Sequence, residues 1–133
     1  MVKFVVPASI ENAADSSEVR RGTLHVDRVR RVAVEDAVVD GEVSGLLLPS
    51  RIVVALGLAP MQNRPPHTVD VLRVVRLTLQ GRDCIMDVIE VTDDNPVTIG
   101  SVPLLAMDWV IDMRGHKLVG NPDHGGVQMM DII

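Results

Sequence analysis

The chain has 133 residues, 47% of them hydrophobic and 23% charged, with a formal net charge of −5. That length fits one domain spanning residues 1–133, and so apolar a chain is not disordered. The acidic balance, with one Phe, one Trp and no Tyr, argues against a nucleic-acid partner, which calls for a basic face or rings on which bases stack.

Valine dominates with 24 copies, and branched side chains suit the pleated surface of a sheet. The single Cys84 excludes an internal disulfide and the usual zinc patterns, and its apolar surroundings predict a buried, inert thiol. No apolar run reaches the roughly 18–20 residues of a membrane span. The first apolar stretch breaks at Pro7 and Glu11, unlike a signal peptide, so a cytoplasmic location without membrane contact is expected. Arg20, Arg21, Arg28, Arg30 and Arg31 interleave with Glu18, Asp27, Glu35 and Asp36, which reads as a solvated, salt-bridged face.

In chain order, the apolar run 4–10 predicts a first strand. The polar stretch 12–22 predicts a short helix capped by Asp15 and stopped by Gly22. Residues 25–40 alternate, with Val26, Val32, Val34 and Val38 in phase, and predict a long or kinked strand. A glycine loop over 41–45 leads to a short strand over 46–48. Residues 50–56 predict a helix, with Pro49 at its entrance, where a missing N–H costs nothing, and Gly57 as its stop. Three prolines mark 59–67 as loop. The strand 69–80 carries Val75, Leu77 and Leu79 on one face and Arg76, Thr78 and Gln80 on the other, and 84–91 returns beside it. A strand over 97–99, one or two helical turns over 103–107 and a hairpin of 109–112 with 117–119 follow. Residues 121–126 read as loop and 127–133 as a terminal strand. The class is mainly β with one or two short helices.

The order of these signals resembles the retropepsin-like aspartic peptidases, in their bacterial single-domain branch. The resemblance runs through Val38-Val39-Asp40, the glycine loop, Leu46-Leu47-Leu48-Pro49 and the helix ending Leu56-Gly57-Leu58. Val75-Arg76-Leu77-Thr78-Leu79-Gln80-Gly81-Arg82 is similar to the strand after that family's flap. Ile99-Gly100-Ser101-Val102-Pro103-Leu104-Leu105-Ala106-Met107-Asp108 is similar to its L-G-x-x-P-L-x-x-x-D segment, with Val110-Ile111-Asp112 in register. Leu118-Val119-Gly120-Asn121-Pro122-Asp123-His124-Gly125 is similar to its tail, and 12–22 to the polar insert of bacterial members. The resemblance covers essentially the whole chain.

It implies a retropepsin-like closed β-barrel, half of an acid protease, that forms a homodimer and acts on a peptide or protein without metal or cofactor. Each subunit gives one aspartate. Like charges about 3 Å apart cannot both ionise, so the pair shares a proton, and one group acts as base on a water while the other acts as acid. By position that residue is Asp40, followed by the active-site loop Gly41, Glu42 and Val43.

Two departures stand out. The family's Asp-Thr-Gly is Asp40-Gly41-Glu42, so the hydroxyl that the resemblance implies across the dimer is missing, and two more carboxylates approach the axis. Only 16 residues, 59–74, separate Leu58 from Val75, leaving Val69, Asp70 and Val71 as a flap remnant too short to hold a peptide or exclude water. The expected function is therefore that of a homodimeric aspartic peptidase homologue with lost or strongly reduced activity. The alternative is an active homodimeric endopeptidase using the Asp40 pair.

Other candidates read more plainly. Asp40 with Glu42 offers carboxylates to Mg²⁺ or Ca²⁺ but reads as a solvated acidic loop. His116, and His124 beside Asp123, read as polar residues in surface turns, and His25 and His67 lack ligand spacing. Ser44 lacks a nucleophile's flanking motif, and Asp93-Asp94-Asn95 reads as a turn. Met129, Met130, Ile132 and Ile133 suit either an intersubunit sheet or docking on their own domain.

Overall fold

A computed structural model describes residues 3–58 and 73–126. β1 (Lys3–Asn12) pairs antiparallel with β2 (Arg31–Asp40), so that Lys3 lies opposite Asp40. Between them lie α1 (Ala13–Arg20) and a 3₁₀ turn at Val26–Arg28. β3 (Leu46–Pro49) leads directly into α2 (Ser50–Ala55). β4 (Val74–Leu79) and β5 (Arg82–Val91) form a hairpin whose turn residues, Gln80 and Gly81, both have positive φ, as a tight two-residue connection requires. β6 (Thr98–Ile99) precedes α3 (Ser101–Ala106), and β7 (Trp109–Asp112) pairs with β8 (Lys117–Gly120) as a separate two-stranded sheet.

The first six strands pair in a closed ring of order β1-β2-β6-β3-β5-β4, with β4 returning to β1. Its interior is filled by aliphatic side chains. Ile10, Val39, Leu46, Leu48, Leu56, Val75, Leu77, Leu79, Ile99 and Met107 expose no surface, each such burial contributing roughly 1.5–3 kcal/mol. The scarcity of rings fits this packing, because Val, Leu and Ile, with Ala37, Cys84 and Met107, fill the space. Trp109 sits at the rim, where its indole N–H donates to the Leu79 carbonyl at 3.3 Å and the Arg82 guanidinium lies 4.0 Å over its ring.

Several sequence expectations change. There are three helices among the described residues, not one or two. The cap of α1 is Asn12, whose side chain accepts from the Asp15 N–H at 3.1 Å, and Asp15 is free to turn toward Arg30. The basic stretch is accordingly not all solvated surface, since Asp15 is buried beneath Arg30, and Arg31 reaches Glu11 at 3.2 Å. The strand expected over 25–40 begins only at Arg31, after the 3₁₀ turn.

Within β2 the phase also shifts. Val6 lies opposite Ala37 and Ala8 opposite Val34, so Glu35 and Asp36 together face the single residue Pro7. This bulge matches a proline that has no N–H to donate. It puts Ala37 and Val39 into the core and turns Val38 outward, against the alternation that grouped Val38 with Val32 and Val34. β5 begins at Arg82 instead of residue 84, and α3 begins at Ser101 instead of residue 103. The terminal strand expected over 127–133 and the part of the strand expected over 69–72 lie outside the described residues.

Candidate functional site

β6 inserts between β2 and β3, parallel to the first and antiparallel to the second. The loop from Asp40 to Leu46 must therefore cross the end of β6, and it is fastened there by backbone bonds. Gly100, Ser101 and Val102 donate their N–H groups to the carbonyls of Gly45, Val43 and Ser44 at 2.9, 2.8 and 2.9 Å. A Cβ on Gly100 would sit 2.6 Å from the Gly45 carbonyl oxygen, so only glycine permits this approach. Of the residues expected in the loop, Gly41, Glu42 and Val43 follow Asp40 directly, and the Val43 N–H closes the turn on the Asp40 carbonyl at 3.2 Å. An ideal Cβ on Gly41 would stand 3.1 Å from Ile111 Cδ1.

Asp40 itself is 6% exposed. The Glu42 N–H donates to its Oδ1 at 3.0 Å, and the Lys3 ammonium lies 3.5 Å from its Oδ2. Both contacts come from the chain's own backbone plan. The first is the tight turn after β2, and the second is the register that puts Lys3 across from Asp40. Glu42 is exposed.

Asp40 and Val38 are two residues apart on β2 and share a face. The strand register extends that face sideways: Val5 and Thr98 flank Val38, Leu47 flanks Thr98, and Ile89 flanks Leu47. The row crosses five strands outside the core, with Val5 59% and Ile89 50% exposed at its ends. Sequence reasoning missed this wall. Val38 was within reach by counting back two from Asp40, but the insertion of β6 between β2 and β3 has no local signal. Lys3 was missed for the same reason, because its relation to Asp40 exists only through the β1–β2 register.

The remaining expectations are distributed as follows. Val69, Asp70 and Val71, with His67, lie outside the described residues. Ser44 serves the loop through its carbonyl. His25 accepts from the Asp27 N–H on the exposed 3₁₀ turn. Asp93 accepts from the Arg51 N–H at 2.7 Å, and Asp94 turns to the Thr92 hydroxyl, whose hydrogen bond holds that carboxyl below the usual range. His124 is exposed in its turn, as expected, and its Nδ1 also lies 2.6 Å from Oδ2 of the buried Asp108, tying the 3₁₀ turn at Pro122–His124 to the end of α3. Cys84 is buried, and burial pushes its thiol up to about 11, with the Asp83 charge adding to the effect.

An open groove of about 340 Å³ lies at the other end of β2, lined by Val26, Asp27, Val29 and Arg31. Among the described residues, no three His, Cys, Asp or Glu side chains are grouped to hold a metal ion, and no helix is long and apolar enough to cross a membrane. The chain matches no family model, no curated protein and no solved structure.

Proposed function

We propose that this chain is a retropepsin-like protein that pairs as a homodimer and whose peptidase chemistry is lost or strongly reduced. The observation that carries this reading is the commitment of Asp40 within its own chain. It is nearly buried, with one oxygen on the Glu42 N–H and the other facing Lys3. Aspartic peptidase chemistry needs two carboxylates that share a proton over a water. A carboxylate that already faces a cation of its own chain is a poor half of such a pair.

Further support comes from the ring of strands, with Asp40 at the head of a loop crossing the inserted β6, which fits the closed acid-protease barrel that the resemblance implies. Gly41 has no hydroxyl to lock two loops together, and Glu42 adds a charge beside each Asp40. The row from Val38 through Thr98 to Leu47 offers an extended peptide a wall beside Asp40. Binding of a peptide or protein segment without cleavage is the role this reading assigns. A lone buried thiol fits a reducing compartment, and a cytoplasmic location belongs to the same reading.

Light scattering of the purified chain, with a cleavage assay on an unfolded protein at acid pH, tests the proposal. A two-chain particle that leaves the substrate intact is expected. Cleavage that disappears in Asp40→Asn would establish the alternative, an active endopeptidase built on the Asp40 pair, and a one-chain particle would remove the dimer.

A further inference from the structure

Asp40 has a charge partner that the active-site motif gives no hint of. Lys3 opens β1, and the antiparallel register sets its Cα opposite that of Asp40, on the outer face that also carries Val5 and Val38. Its ammonium stands 3.5 Å from Oδ2, while Oδ1 is occupied by the Glu42 N–H at 3.0 Å. The two side chains differ in exposure: 55% for Lys3 and 9% for Asp40. The lysine thus stands beside the carboxylate and remains hydrated itself.

A carboxylate this deeply buried needs compensation for the water it has lost. A shared-proton pair supplies that compensation from a second carboxyl group, with one proton between two oxygens. A cation supplies it differently, as a charge partner within the same chain. We propose that Lys3 is the positioning residue that keeps Asp40 out of acid–base chemistry, by holding it as half of an in-chain ion pair. The proposal rests on the reading of lost peptidase activity and gives it a cause outside the Gly41-Glu42 motif. The same lysine offsets the repulsion that two Asp40 and two Glu42 side chains bring to a two-fold axis. In this arrangement the aspartate holds β1 to the end of β2 and is not a reacting group.

The Glu42 amide proton reports the state of Asp40 directly, because it donates to Oδ1. Amide NMR spectra of the full chain at neutral pH would be compared for the native sequence, Lys3→Met, Lys3→Arg and Asp40→Asn. The expected result is a displacement of the Glu42 resonance in Lys3→Met and Asp40→Asn and none in Lys3→Arg, with the Val6 and Ile10 amides unmoved. Lys3→Gln supplies a second neutral side chain if methionine disturbs β1. A Glu42 resonance that stays at its native position in both neutral variants would overturn the proposal. That outcome is separate from failure of the underlying reading, which is registered by Asp40-dependent cleavage in the native chain.

Discussion

The Arg30 guanidinium grips the Asp15 carboxylate along two edges, Nε at 2.8 Å from Oδ2 and Nη2 at 2.9 Å from Oδ1, while the Arg30 backbone N–H donates to the same Oδ2 at 3.0 Å. This one carboxylate fastens α1 to the start of β2. The Arg30 side-chain hydrogen bonds hold its pKa below the usual carboxylate range, against burial, which raises it; the Arg30 backbone N–H and charge lower it further. A carboxyl whose folded value is depressed contributes stability above its unfolded value and loses it as pH falls through the folded one. Asp15→Asn is expected to cost about 1–2 kcal/mol at neutral pH, a modest figure because the Arg30 side chain is half exposed and screened. The cost should shrink as pH drops below about 4. Urea melts of both proteins at pH 7 and pH 3 check this, and an unchanged difference at the two pH values would contradict it.

Arg30 also depends on a glycine. Gly57 ends α2 at φ 66, and an added Cβ there would come within 2.6 Å of the Arg30 Cζ. Gly57→Ala is therefore expected to combine left-handed strain with displacement of the guanidinium, about 1–2 kcal/mol in all. In an Arg30→Ala background the alanine should cost less, because the displaced group is gone. Thermal melts of the double-mutant cycle measure the difference, and strict additivity would mean that the two residues do not meet.

Gly100 poses a harder constraint, because the atoms facing it are backbone. The Val43 carbonyl stands closer than the 2.6 Å of Gly45. Gly100→Ala should push the 41–45 loop off the start of α3 and cost about 1–3 kcal/mol or more. Amide exchange of Ser101 and Val102, which donate to that loop, should accelerate well before the β4–β5 hairpin does. Equal acceleration throughout the chain would show global destabilisation without a local loop effect.

Cys84 is 2% exposed, and its thiol is raised to about 11 by burial first and by Asp83 second. Under native conditions at pH 8 it should resist thiol reagents and react only at the rate of unfolding. Labelling with and without denaturant distinguishes this from rapid modification of the folded protein.

The elements with strong local signals were legible in the sequence. Residues 75–79 alternate cleanly and form β4, and Pro49 with Gly57 bracket α2 closely. Asp40 was legible as the head of a loop. What was hidden depended on partners distant in sequence. Asn12 caps α1 because β1 delivers it there in extended geometry, and Asp15 looked like the cap only until Arg30 was known to face it. Lys3, Thr98 and Leu47 join the site through strand register alone, and His124 found its carboxylate sixteen residues back, across β7 and β8.

The extra residue in β2 opposite Pro7 carries a consequence for how this chain tolerates change. Side chains upstream and downstream of Glu35 and Asp36 reach the core on opposite parities. Removing either residue would leave every member of the site in place by identity. It would also force a choice between keeping Val32 and Val34 inside and keeping Ala37 and Val39 inside. Asp40 would then change faces relative to Lys3 or β2 would leave the ring, so a one-codon deletion in an acidic, exposed stretch is as damaging to the site as replacing Asp40 itself.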